Sequence, residues 1–556
     1  MVAEKSFRSD DNEGVHITYG AAGRPDTAQS GEILGLNGNG DGTHRGLKSR
    51  HLQLIALGGA IGTGLFVGSG TVLADCGPAP LLMAYICMSA LVWLIMLDLG
   101  EMTAYMPIRG LSVPYLVNRF VEPSLAFASG WNYWYAYSIL VAAEVTAASL
   151  IIEYWTTKIS PAVWITIVLV VILILNIVAV AWFGEAEFWF ASIKLIAITG
   201  LIIVGVVIFF GGAPDHDRLG FRYWKDPGAF NPYMTSGNTG RFLAFWHAMI
   251  KAAFAYILSP ELITAAAGEC EAPRRNIPKA TRRFVYRLVA FYVFGALVIG
   301  VIVPYNNNRL LSAINSGSAG AAASPFVVGI QNAGIPVLNH IINAVILTSA
   351  WSAGNSFLYA GSRVLYGLAC TGQAPKIFGK CNRFGVPYNA VLGSFAVGCL
   401  GYLNVSSTGA TVFNWLSNIS TVSGFIAWIV VLYTYLRFRK AVILNGITDR
   451  LPFRSHFQPY ATYFVMFIVT LLALTNGFAI FFPGELSASS FFTAYVTIPI
   501  FLVFYFGHKA YFRTPWAKPI EDLDVFSGLE EVEEVTERDM APVPKNILQK
   551  IWFWIA

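Results

Sequence analysis

Runs of about 20 predominantly apolar residues recur between residues 54 and 507, and they constrain the fold more than any other feature of the sequence. A helix needs about 20 such residues to cross the hydrocarbon core of a bilayer. Only 12% of the residues are charged, whereas about 25% is typical of soluble chains, so a soluble core of this composition is excluded. The sequence therefore predicts an all-α integral membrane protein with twelve transmembrane helices.

These predicted spans are numbered in chain order below, and two of their boundaries are open. Residues 183–187 alone separate spans 4 and 5, and span 8 has no clear end at Ser362. The spans are 54–74, 80–104, 125–152, 161–183, 188–211, 242–267, 284–304, 337–362, 387–404, 412–436, 459–482 and 489–507.

Lysine and arginine are concentrated in alternate connections between the spans. The connection after span 6 is basic from Arg274 to Arg287, and those after spans 8 and 10 are basic as well. The other connections carry fewer cations, apart from the loop at 212–241. The positive-inside rule therefore predicts that both termini are cytoplasmic.

The two ends of the chain differ in composition from its middle. Residues 1–46 are polar and contain no apolar stretch, so they do not form a signal peptide. We expect a cytoplasmic N-terminal tail at 1–46, a transmembrane domain at 47–512 and a cytoplasmic C-terminal tail at 513–556. The C-terminal tail is strongly acidic between Glu521 and Asp539.

Several function classes lack their sequence signals. The six cysteines are scattered and form no CxxC pair, which argues against a zinc site and a disulfide framework. We therefore expect no metal and no cofactor. No basic block is dense enough for nucleic acid. An integral-membrane enzyme would need a cluster of His, Asp, Glu or Cys at one membrane face, and the sequence shows none.

Two spans are interrupted, and they occupy matching positions in two successive five-helix blocks. Span 1 carries the glycine-rich run GGAIGTGLFVGSG at 58–70, and span 6 carries Ser259-Pro260 near its middle. Proline removes a backbone donor and clashes with the preceding turn. Interrupted helices at matching positions are typical of transporters built from inverted repeats, with the substrate at the bilayer midplane. The sequence predicts a five-plus-five inverted repeat; for span 1 alone, close glycine-mediated helix packing is the alternative.

The two breaks together favour an α-amino acid as the ligand. Backbone N–H groups of Ile61, Gly62, Thr63 and Gly64 would form the N-terminus of a half-helix, which attracts a carboxylate. Carbonyl groups freed in span 6, around Tyr256, Ile257 and Leu258, would accept hydrogen bonds from an ammonium group.

Ionisable residues within spans are costly and are therefore functional candidates. Glu144 in span 3 and Lys251 in span 6 have similar depths, so we expect them to pair across the outer cavity. Lys194 in span 5 is a candidate for releasing a proton when access to the cavity changes. Glu261 follows the break in span 6 and is expected to act as a gate or capping group, as are Asp98 and Glu101 in span 2.

Two sequence runs resemble a known family. LQLIALGGAIGTGLF at 52–66 is similar to the first-helix signature of fungal amino-acid permeases of the amino acid–polyamine–organocation superfamily. GECEAPRRNIPKA at 268–280 is similar to their connection between helices 6 and 7. The runs SPEL at 259–262, VPYN at 303–306, SPFVVGIQNAG at 324–334 and YLNVSS at 402–407 resemble the branch of proline permeases.

This resemblance implies proton-coupled uptake of proline across the plasma membrane. It implies that Gly62, Thr63 and Gly64 hold the carboxylate and that Phe254 is an aromatic wall of the pocket. Lys251, Leu258 and Ser259 would shape the pocket further. Lys194 matches a lysine that in relatives takes the place of a sodium ion.

A pocket of Phe254, Ile257, Leu258 and Ser259 offers no countercharge to a charged side chain, which favours a neutral substrate. The expected partners are therefore proline, protons and membrane lipid, and the sequence does not specify an oligomeric state. A broader permease for small neutral amino acids or 4-aminobutyrate is one alternative. A receptor on the same scaffold that binds an amino acid without transporting it is another.

Overall fold

The computed structural model describes residues 62–107, 112–178, 180–315, 324–335, 337–405, 409–455, 457–538 and 546, and within these ranges the chain forms helices and no strand. In chain order the helices are α1 Gly64–Cys76, α2 Pro78–Tyr105, α3 Val113–Phe120, α4 Pro123–Ile152, α5 Pro161–Ile177, α6 Val180–Phe209, α7 Gly237–Ala253, α8 Glu261–Ala267, α9 Pro273–Ile302, α10 Asn308–Asn315, α11 Pro325–Asn332, α12 Leu338–Cys370, α13 Tyr388–Gly398, α14 Gly409–Leu444, α15 Tyr460–Leu474, α16 Ala488–Tyr495, α17 Thr497–Phe512 and α18 Leu529–Arg538.

Six of the described helices are long and apolar enough to cross a membrane, namely α2, α4, α6, α9, α12 and α14. The pair α16 and α17, bent by 45° at its junction, would be a seventh. Helices α1, α5 and α15 are apolar but shorter. The sequence correctly predicted an all-helical membrane protein, and α12 continues past Ser362 to Cys370.

The predicted boundary between spans 4 and 5 is wrong. Helix α5 ends at Ile177 and α6 begins at Val180, so residues 183–187 belong to α6. Two glutamates in this stretch suggested a polar connection, but Glu187 is fully buried and hydrogen-bonded within the protein. A membrane helix can contain a buried carboxylate when other side chains donate hydrogen bonds to it, and hydropathy alone does not reveal such donors.

Helix α4 lies in the centre of the molecule, packed against α12 and α14. Helix α6 lies at the periphery. Its outer face is marked by Trp182 and Trp189, which are seven residues apart and 69% and 65% exposed. Because seven residues make about two helical turns, both indoles point the same way, as expected for a face toward lipid. The opposite face of α6 packs inward.

The first part of the C-terminal tail docks on the helices at one end of the bundle. Arg119 of α3 donates hydrogen bonds to the carbonyls of Asp524 and Ser527, at 2.5 and 2.8 Å, and lies 3.2 Å from the Asp524 carboxylate. Tyr105 Oη donates to the Val525 carbonyl at 3.0 Å. Partial burial opposes ionisation of Asp524, but Arg119 and the nearby backbone N–H groups outweigh it, so its pKa is lowered.

Candidate functional site

The described part of span 1 begins with a helix terminus that faces the interior. Helix α1 starts at Gly64 with a π-helical turn and continues as an α-helix from Ser69. The Thr63 side chain does not cap this terminus; its Oγ1 donates instead to Glu144 Oε1 at 3.1 Å. The first N–H groups of a helix have no partners within it and can bind an anion. Here the backbone of Thr63 also interacts with the Glu144 carboxylate, so one anionic group of the protein itself lies at this terminus. Ile61 lies outside the described residues.

Two glycines allow the chain to pass very close to its neighbours here. A Cβ atom on Gly64 would lie 2.7 Å from Ala255 Cα, in the break of span 6. A Cβ atom on Gly62 would lie 2.7 Å from Glu144 Oε1. The start of α1 is therefore in direct contact with the second interrupted segment and with the buried carboxylate.

The break predicted in span 6 is present and extends from Phe254 to Pro260, between α7 and α8. Leu258 adopts a left-handed backbone conformation with φ of 57°, which is uncommon for a residue other than glycine. The segment is fixed by two tyrosines from neighbouring helices. Tyr137 Oη donates to the Leu258 carbonyl at 3.3 Å, and Tyr292 Oη donates to the Ala255 carbonyl at 3.0 Å. The Ser259 backbone N–H also donates to the Tyr256 carbonyl at 3.2 Å. Two of the three expected carbonyl acceptors, those of Tyr256 and Leu258, thus already have a donor, and each keeps a second lone pair.

The side chains of the break point to different neighbours. Phe254 packs edge-on against Phe413 of α14, with ring centroids 5.7 Å apart. Ile257 fills the space above Gly424, where a Cβ would lie 2.4 Å from its Cδ1 atom. The Ser259 hydroxyl is fully buried and has no hydrogen-bond partner among the described residues.

A cavity of about 90 Å³ lies beside Phe254, along α1 beyond its first turn and at the end of α7. Its lining combines apolar side chains with polar groups, including Lys251, Asn414, Asn418 and Asn476. A cavity of this size and polarity can hold several water molecules. It gives a polar compartment next to the break.

Glu144 and Lys251 do not form the pair that the sequence suggested. Glu144 is hydrogen-bonded to Thr63 and interacts electrostatically with Lys194. Lys251 is half-buried and interacts with Asp75, at the end of α1, instead. The prediction took account of depth in the membrane but not of the direction in which each helix face points.

Lys194 is fully buried on the inner face of α6 and interacts electrostatically with Glu144 and with Glu187. Glu261, the first residue of α8, is also buried, and Tyr133 Oη of α4 donates to its Oε1 at 3.4 Å. Lys194 and Glu144 are thus brought together with the start of α1, whereas Lys251 and Glu261 occupy separate positions around the break.

Sequence reasoning missed a buried ion pair beyond the C-terminal end of α8. Arg363 Nε of α12 donates to Glu269 Oε1 at 2.9 Å, and Tyr359 Oη donates to Oε2 at 2.5 Å. The guanidinium lies 4.3 Å from the centre of the Tyr359 ring, which stacks on Phe183 of α6. Glu269 is part of the motif at 268–280, but its partner lies 94 residues away and no sequence spacing indicates it.

Residues 51–520 match the amino acid permease family. The chain is 61% identical over 513 residues to a proline-specific permease of Emericella nidulans, covering 92% of this chain and 93% of that protein. It is 59% identical over 499 residues to a probable proline-specific permease of Schizosaccharomyces pombe, covering 90% of each. It is 42% identical to a lysine-specific permease of Saccharomyces cerevisiae, covering 92% of this chain and 82% of that one.

The chain therefore belongs to the amino acid permease family. It is a multi-pass membrane protein and not an enzyme, and the predicted family resemblance is confirmed. Among solved structures, a manganese transporter of Eremococcus coleocola aligns with a TM-score of 0.56 at 15% identity, covering 85% of this chain and 98% of that one. At this identity the likeness concerns the fold alone, which is that of a helical membrane transporter.

Proposed function

We propose that this protein is a proton-coupled symporter of the plasma membrane that imports L-proline. The contact between Gly64 and Ala255 carries the proposal, because it joins a helix N-terminus suited to a carboxylate with a break that offers carbonyl acceptors. One relative that matches over most of its length is named a proline-specific permease and another a probable proline-specific permease, which supports proline as the substrate.

The proposed topology has twelve spans with a five-plus-five inverted repeat and both termini in the cytoplasm. The short helices α1, α5, α7 with α8, α13 and α15, and the bent pair α16 with α17, supply the spans that are not among the six long helices. The interruption of α7 and α8 between Ala253 and Glu261 supports the second broken helix of the repeat. On this basis, residues 1–46 and 513–556 are the cytoplasmic tails.

In the proposed site, Gly62, Thr63 and Gly64 (with Ile61 just before them) hold the substrate carboxylate through their backbone N–H groups. The break residues Phe254, Ile257, Leu258 and Ser259 bound the ring of the amino acid and supply acceptors for its amine. Lys251 in the polar cavity lies on the route of entry.

Proton coupling is assigned to Lys194 together with Glu144. Glu144 bonds to Thr63, so a substrate at the start of α1 would change the surroundings of this carboxylate. Glu261, held by Tyr133, is proposed as a gate on the cytoplasmic side of the break.

Uptake of radiolabelled proline by permease-deficient yeast expressing this chain tests the proposal. We expect uptake that rises at acidic external pH and collapses with a protonophore. Unlabelled proline should compete much better than alanine, glycine or 4-aminobutyrate. Equal competition by these compounds would favour a broad permease for small neutral amino acids. Binding without uptake, at normal surface expression, would favour a receptor.

A further inference from the structure

A buried carboxylate outside the predicted site, Glu187, connects three helices. It lies on α6 and has no exposed surface. Ser352 Oγ of α12 donates to its Oε1 at 2.6 Å, and Asn355 Nδ2 approaches its Oε2 at 3.5 Å. Asn355 Oδ1 in turn accepts a hydrogen bond from Asn176 Nδ2 of α5 at 2.8 Å. Neutral donors from α12 thus hold the Glu187 carboxylate, and Asn176 of α5 holds one of these donors, Asn355, in place.

Lys194 lies on the same face of α6 as Glu187. The two residues are seven positions apart, which is about two helical turns, and about 10 Å along the axis. Lys194 is also fully buried and interacts electrostatically with Glu187 and with Glu144 of α4. One lysine therefore acts at longer range on two carboxylates from different helices, and among the described residues no ion pair joins it directly to either of them.

The charges of this cluster do not balance when all three groups are ionised. The elements around it present neutral groups to it: Thr63 just before α1, Tyr292 from α9 and, from α12, Ser352, Asn355 and Ser356. Asn176 of α5 bonds to Asn355 and is neutral as well. Among the described residues, Lys194 is the cation that acts on both carboxylates. One lysine with two carboxylates leaves a net negative charge, which is costly in a dry interior. A single proton on either carboxylate restores neutrality.

We propose that Glu187 is a second proton-carrying group of this transporter and that Lys194 passes protons between it and Glu144. This inference rests on the proposed proton-coupled function. The Lys194 side chain approaches each carboxylate in turn: its ammonium first gives a proton to Glu187, and the resulting amine then takes the proton of protonated Glu144. Only N–H and O–H bonds break and form, and one proton moves from Glu144 to Glu187. Glu187, which has no exposed surface in this state, then releases the proton to water that enters when the transporter opens to the cytoplasm.

The positions of the two carboxylates give this transfer a direction. Glu144 bonds to Thr63 and lies against Gly62, so it faces the proposed carboxylate site. Glu187 lies nearer the N-terminal end of α6, which the proposed topology puts in the cytoplasm. A proton taken up beside the substrate would therefore be released on the side to which the substrate is delivered.

The test is made with the full chain purified into liposomes, comparing wild type with Glu187→Gln. We expect accumulation of labelled proline driven by an inward pH gradient to fall about tenfold or more, since a proton-transfer group is lost. Exchange of internal for external proline at equal pH should stay close to wild type, because exchange needs no net proton movement. Glu153→Gln, at a half-buried glutamate at the end of α4, is the matched control and should leave both activities unchanged.

Ser352→Ala keeps the carboxylate but removes its shortest hydrogen bond, and it should shift the pH profile of uptake while exchange persists. Wild-type accumulation in Glu187→Gln would overturn the inference and leave the proposed function intact. Equal loss of accumulation and exchange in Glu187→Gln, with an unshifted pH profile in Ser352→Ala, would show a structural role and also overturn it. A wild-type protein that ignores the pH gradient would refute proton coupling itself.

Discussion

Replacing Gly64 with alanine tests how closely the two interrupted segments must approach each other. The new Cβ would lie 2.7 Å from Ala255 Cα, 2.9 Å from its Cβ and 3.1 Å from its N. Two of these atoms belong to the backbone, so no rotation of a side chain relieves the contact. Overpacking of this kind costs about 1–3 kcal/mol. If this cost falls on the binding geometry, proline uptake at low concentration decreases by about 5- to 150-fold.

Gly68 provides a matched control on the same helix. A Cβ atom at Gly68 meets nothing within 4 Å, but Gly68 lines the cavity beside Phe254. Gly68→Ala should therefore leave thermal stability close to wild type, and it is a control for stability rather than for uptake. Combining Gly64→Ala with Ala255→Gly removes the 2.9 Å contact but keeps the contact with Ala255 Cα, so we expect partial rescue at most.

The assay is initial proline uptake normalised to surface expression, together with the thermal unfolding temperature of the purified protein in detergent. The unfolding measurement does not depend on the identity of the substrate. Wild-type behaviour of Gly64→Ala in both measurements, or an equal loss of thermal stability in Gly68→Ala, would refute the proposed close approach of the two segments.

Three further predictions follow from individual contacts. Glu269→Gln alone should destabilise the protein by about 3–5 kcal/mol because it leaves a buried arginine unpaired. The double variant Glu269→Gln, Arg363→Met should be destabilised by much less than the sum of the two single variants, and thermal unfolding of all four proteins of this double-mutant cycle measures the difference. Asp524→Asn should weaken docking of the C-terminal tail by up to about 1 kcal/mol, and limited proteolysis of the tail should be faster. Folding lowers the pKa of Asp524. The stability that its carboxylate contributes is therefore present above about pH 4 and is lost as the pH falls further. Double substitution of Glu144 and Lys251 should give additive losses of uptake, because the two belong to different clusters; a strongly non-additive result would show that they are coupled.

The break in span 6 was predictable because proline marks it in the sequence and no tertiary information is needed. Its extent was not predictable. The turn runs from Phe254 to Pro260, and two tyrosines from α4 and α9 hold its carbonyls. Only the packed structure shows which helices face the break.

For the charged residues too, the sequence predicts some properties and only the structure shows the others. Burial of Lys194 could be predicted, because an isolated lysine in an apolar run has few alternatives. Its partners could not, because Glu187 lies in a stretch whose composition suggests a polar connection. Hydropathy measures the average character of a segment, whereas a buried carboxylate depends on hydrogen bonds supplied by another helix. Here those bonds come from Ser352 and Asn355 of α12.

The contacts around α8 determine how this segment can move. At the N-terminal end of α8, Tyr133 donates a hydrogen bond to Glu261. Beyond its C-terminal end, Arg363 and Tyr359 donate hydrogen bonds to Glu269. If Glu269 and Arg363 separated while the interior stayed free of water, both would become unpaired buried charges, which would cost several kcal/mol of free energy. Movement of α8 away from α12 must therefore admit water to both groups. The cavity at Lys251 lies on the opposite side of the break, beside α7. We therefore expect the ion pair to close one end of the proposed route, while the cavity at the other end has room for water.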